Sequence, residues 1–193
     1  MKKSKKEIVY KQVCEDMKRS GYTENALVIP SAKVFILGTV ISLFPTALLF
    51  VLYRLVHGLQ PDFALDYPIF CIQIILSLVI HELVHGIGWM IGGKCKWNEI
   101  EFGISSLFPY CYCKKPLSRK QYLIGVLMPI VLLGLGTTIL ALVFESLSLL
   151  VLAIINVIIA GGDLIIVVNL RKTTKLSLVM DHPYKAGFVA FEK

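Results

Sequence analysis

Two histidines and a glutamate stand within five residues of one another in the run IILSLVIHELVHGIGWMIGG, Ile74 to Gly93. His81, Glu82 and His85 form the pattern His-Glu-x-x-His. On a helix, residues four apart share a face, so His81 and His85 can place ring nitrogens on one ion. Glu82 is turned by about 100° from His81, which sets it beside such an ion as a base and not on it as a ligand. Zinc in this setting lowers the pKa of an attacking water towards ~7, and the glutamate takes its proton during attack on a carbonyl. The competing interpretation is a buried polar cluster whose histidines hydrogen-bond to other helices. Ionisable groups in hydrocarbon are costly, ~2.5–3.5 kcal/mol for a central acid on insertion scales, and they mark functional sites. The full pattern in an apolar run therefore favours a metal.

Zinc needs a third protein ligand. The extension that continues with a glycine and a third histidine is absent, because Gly88 fits but Ile91 stands where that histidine would be. His57 and Glu145 fall at the opposite ends of their spans, and Glu99 and Glu101 fall in a segment outside the helical core. Asp163 matches in depth: its span exits near Leu170, seven residues on, as the second span exits near Gly92, seven residues after His85. Seven residues are ~10 Å of helix. His182, in the C-terminal tail, is the alternative if the tail folds back. Asn156 lies two turns before Asp163 on the same face, where it can bind substrate, support the site or join helices.

Four apolar stretches can position these residues, since a crossing needs ~20 residues. They run over about 34–56, 67–91, 122–144 and 147–170. The chain of 193 residues is 56% hydrophobic, above the ~45–50% of soluble domains, so the expected class is a mainly α, polytopic membrane protein. Lys and Arg number eight in residues 1–33, one in 54–66, six in 93–121, none in 145–146 and five in 171–193. This alternation places both termini and the middle link in the cytoplasm of a cell membrane, by the positive-inside rule. The net charge of +7 then reflects orientation and anionic headgroups, and no basic stripe interleaved with aromatics points to nucleic acid. The five cysteines are expected to be reduced thiols.

Between the second and third spans, residues 97–115 alternate apolar and polar around a turn, which predicts a small β-hairpin. Residues 7–21 carry Ile8, Val9, Val13 and Met17 at helical spacing, which predicts an amphipathic helix on the membrane surface or against the bundle. Nothing divides the chain further, so residues 1–193 are read as one membrane-embedded domain with a cytoplasmic N-terminal segment, 1–33, and a cytoplasmic tail, 171–193.

The sequence resembles intramembrane zinc metalloproteases of the site-two protease type, and is more similar to a bacterial membrane family of putative zincin peptidases. The likeness is carried by HELVH (81–85), the hairpin after it, MP (128–129), NVIIAGGDL (156–164) and DHPYKAGF (181–188). It differs from the site-two pattern in having no proline between Asn156 and Asp163. The resemblance implies zinc on His81, His85 and Asp163, Glu82 as general base, and hydrolysis of a protein or peptide substrate within or beside the bilayer. Two other functions use the same residues. A metal-binding protein or transporter would take up metal without Glu82, and a non-catalytic adaptor would hold no stoichiometric zinc.

Overall fold

A computed structural model describes residues 5–58, 66–105 and 108–193. The molecule is mainly helical, and the described residues include four helices long and apolar enough to cross a membrane and two small antiparallel sheets. Helix α1 (Lys5–Arg19) leads through strand β1 (Thr23–Ile29) to α2 (Ser31–His57) and α3 (Tyr67–Gly93). Strands β2 (Ile100–Ser105), β3 (Phe108–Cys113) and β4 (Leu117–Ser118) follow, then α4 (Arg119–Pro129) and α5 (Gly136–Val143). Helices α6 (Leu147–Ile159) and α7 (Gly161–Leu170) lead to β5 (Leu178–Asp181) and β6 (Ala186–Glu192).

Local chemistry sets the helix ends. Asp66 caps α3 by accepting from the Ile69 N–H at 3.2 Å, with Pro68 in the first turn, and Lys94 closes it in the left-handed region. Ser118 and Gln121 cap α4 reciprocally. Inside α2, the hydroxyls of Thr39, Ser42 and Thr46 donate to carbonyls one turn back, so these polar groups are satisfied within an apolar helix. The third span is not one regular helix. Residues 130–135, directly after Pro129, wind as a π turn between α4 and α5. Proline lacks the N–H that a regular ladder requires. The fourth span breaks at Ala160, between α6 and α7.

Helix α3 packs chiefly on α4, while α2 packs on α6 and α7. Small residues make both contacts close. A Cβ on Gly161 would lie 2.4 Å from the Gly38 carbonyl oxygen, and one on Gly88 would lie 2.7 Å from the Gly125 Cα.

The β-structure sits at one end of the bundle, where α3 and α7 finish and α2 and α4 begin. Strands β2 and β3 form the expected hairpin, with Ile100 opposite Cys113. The second sheet, in the order β1-β6-β5-β4, is not anticipated from the sequence. It draws on both terminal segments: Thr23 pairs with Glu192 and Ile29 with Ala186. One face carries Met180, Val189 and Phe191 against Cys14 of α1, so the N-terminal helix packs on this sheet. The other face carries Val179, Phe188 and Ala190 against Tyr122 and Leu170 of the bundle.

Candidate metal centre

His81 and His85 lie on the face of α3 turned into the bundle, 5% and 7% exposed. The break at Ala160 restarts the fourth span so that Asp163 falls in the first turn of α7, facing them. His81 Nε2 is 3.2 Å from Asp163 Oδ2, His85 Nε2 is 3.3 Å from Asp163 Oδ1, and the two Nε2 atoms are 3.1 Å apart. The three side chains thus offer one ligand atom each within 4.8 Å of one another.

The donor set fits zinc. His85 Nδ1 lies 2.9 Å from the Gly125 carbonyl oxygen. A carbonyl only accepts, so Nδ1 carries the proton and Nε2 turns its lone pair towards the shared point. Two imidazole nitrogens and a carboxylate oxygen crowded together can hold one cation among them. Two nitrogens and one oxygen are also the ligand set of a catalytic zinc with an open fourth position. Among the described residues, the buried Asp163 Oδ2 has no hydrogen-bond donor.

Aromatic packing fixes His85 from behind. Its ring stacks on Trp89 at 5.7 Å, Trp89 on Tyr122 at 5.9 Å, and Tyr122 meets Phe188 of β6 at 6.0 Å. The Trp89 indole N–H donates to the Tyr122 carbonyl at 3.2 Å. Gly125 is the residue that permits this stack, since a Cβ there would lie 2.2 Å from the Trp89 ring.

Glu82 lines the same cavity, of about 780 Å³, and its carboxylate is reached by the Cys111 backbone N–H of β3. The hairpin is held at this height by a clasp. The Tyr122 hydroxyl donates to one carboxylate oxygen of Asp181, and the Cys113 N–H donates to the other at 3.2 Å. Burial pushes the Asp181 carboxyl up to about 6, against the pull of these two donors. The Cys113 bond leaves the hairpin on its outer edge. In an antiparallel ladder alternate residues face the same way, so Cys111 and Pro109 also turn their backbone groups outward, to the cavity. Pro109, lacking an N–H, costs nothing on an unpaired edge.

The structure brings His81, Glu82, His85 and Asp163 to one cavity and separates the other two candidates from the cluster. Asn156 is buried outside the cavity, where it accepts from the Ser77 hydroxyl and joins α6 to α3. His182 lines the cavity mouth, and its Nδ1 accepts from the Tyr184 and Lys185 N–H groups in its own turn. Tyr122, Asp181 and Gly125 were not singled out from the sequence. Asp181 lies in the quoted DHPYKAGF stretch, but no spacing rule ties it to Tyr122.

No curated protein and no solved structure matches the chain. Residues 74–178 match a family described as putative zincin peptidase, and this span runs from α3 to the start of β5. With more than half of its length matched and a buried His-His-Asp group able to hold a metal, the chain belongs to this family of putative zincin peptidases.

Proposed function

We propose that the protein is a multi-pass zinc metalloendopeptidase that hydrolyses peptide bonds within or next to the membrane, with its site near the cytoplasmic face. One observation carries this reading: His81, His85 and Asp163 converge beside Glu82 in a single cavity. Zinc, when bound by the first three, supplies the Lewis acid that polarises the scissile carbonyl. Glu82 takes a proton from the attacking water and delivers it to the leaving nitrogen as the C–N bond breaks and the new C–O bond forms. His85 is kept in the ligating tautomer by the Gly125 carbonyl. The outer edge of β3 offers the Cys111 carbonyl oxygen to an N–H of an extended substrate, as in strand addition, while the Cys111 N–H reaches Glu82. A substrate helix unwound at this edge exposes its peptide groups to Glu82. This chemistry is of the site-two protease type.

Orientation follows from charge. The β-bearing end of the bundle holds both termini and the basic links, which supports a cytoplasmic position for it. The substrate is then a protein or peptide, most simply a membrane protein, that reaches the site from the bilayer or the cytoplasm. The test is Glu82→Gln, which keeps shape and removes the base. Mass-spectrometric mapping of new N-termini should lose the cleavages of the wild type by 10²-fold or more, a typical general-base effect, while bound zinc is unchanged. Cleavage that survives Glu82→Gln sinks the mechanism.

A further inference from the structure

The cavity has two unlike ends. The metal-ligand cluster and Glu82 form the inner end; the mouth is lined by Lys6 from the first turn of α1 and by Lys185 from the turn between β5 and β6. His182 and Tyr184 stand beside Lys185. The nearby acids are engaged elsewhere. Glu7 pairs with Lys11 at 2.7 Å, Glu24 with Lys18 at 3.2 Å, and Glu101 with Lys114 at 3.5 Å. Asp181 also lines the cavity, where two neutral donors, the Tyr122 hydroxyl and the Cys113 N–H, hold its carboxylate. Neither Lys6 nor Lys185 has a carboxylate partner among the described residues. The Lys6 ammonium instead rests 3.3 Å from the centroid of the Tyr110 ring, which holds the charge over the hairpin edge.

His182 adds a neutral donor. With Nδ1 accepting from two backbone N–H groups, its proton is on Nε2. Burial and the Lys185 charge lower its pKa, so it stays neutral. The mouth therefore presents two cations and a donor.

We propose that Lys6 and Lys185 form a carboxylate subsite, so that the site selects extended peptides with a carboxylate on the mouth side of the scissile bond. The carboxylate is an Asp or Glu side chain or the peptide's own C-terminus. The consequence is selective, because membrane spans usually carry Lys and Arg on their cytoplasmic flank. Two lysines at the mouth repel that ordinary flank and admit the acidic exception. The inference rests on the peptidase reading for its substrate class but is tested by binding alone.

The probe is a set of rhodamine-labelled peptides with one apolar core, and the protein is zinc-loaded, full-length Glu82→Gln in zwitterionic micelles. One arm carries Asp on the flank with an amidated C-terminus, one a neutral flank with a free C-terminus, one a neutral flank with an amide, and one Lys with an amide. Fluorescence anisotropy should show one or both carboxylate arms bound about tenfold tighter than the neutral or Lys arms, the scale of two partly exposed charge pairs. Whichever arm is preferred assigns side chain or terminus. The double variant Lys6→Gln, Lys185→Gln, made on the same background, should lose the preference with zinc content unchanged. Equal binding of all arms, no binding of any arm, or a preference that survives the double variant would overturn the subsite. Failure of the wild type to cut a tightly bound peptide would count against the peptidase reading and not against this one.

Discussion

At the scale of single residues, the site depends on groups that never touch the metal position. Gly125 lets Trp89 lie against α4, and its carbonyl fixes the tautomer of His85. A methyl at Gly125 would sit 2.2 Å from the Trp89 ring, and a packed aromatic stack cannot yield that much. Gly125→Ala should therefore lower thermal stability by about 1–3 kcal/mol, as overpacking does, and release zinc to a chelator faster than the wild type. Gly136→Ala is the control: its Cβ would approach nothing closer than 3.8 Å, so melting temperature and zinc retention should both stay. The His-Glu-x-x-His motif was legible because its chemistry is contiguous and helical spacing is fixed. Asp163 was legible by depth, as the carboxylate in the core of its span. Gly125 was not, because its role exists only once α3 and α4 meet.

At the scale of elements, the Asp181 clasp ties β5, β3 and α4 into one support for the hairpin. Tyr122→Phe removes one donor and leaves a buried carboxylate short of a partner, which should cost about 1–3 kcal/mol in thermal unfolding. The pH dependence has a definite sign. Asp181 titrates near 6 when folded, above the ~3.9 of an unfolded aspartate, so the folded chain binds the extra proton between these values. Its contribution to stability is full below about pH 4 and is lost as pH rises through about 6. Asp181→Asn should flatten this part of the curve, measured by thermal unfolding in detergent from pH 4 to 7. An unchanged slope would show that Asp181 is not its source. The spans and the hairpin were readable from their runs and alternation, and the edges moved by only a few residues. The four-stranded sheet was not. Its strands of two to seven residues are short, and β1 and β6 lie at opposite ends of the chain, so no local pattern announces that they pair.

At the scale of the whole molecule, the four-stranded sheet lies between α1 and the end of the bundle that carries the metal cluster. The helices of 24–27 residues reach ~36–40 Å, longer than the ~30 Å of hydrocarbon. In the orientation proposed from the loop charges this end is cytoplasmic. Leu176, 91% exposed in the link between α7 and β5, gives a handle on it. In a Cys71→Ser background, Leu176→Cys should resist a membrane-impermeant maleimide in intact cells and react after permeabilisation. Labelling in intact cells would invert the orientation. The proposed function requires two helices to share one zinc ion through His81, His85 and Asp163. Zinc content of the purified protein, wild type beside Asp163→Ala, tests it most directly. About one zinc per wild-type chain and little in the variant are expected, whereas a zinc-free wild type or full occupancy in Asp163→Ala would rule out the shared site.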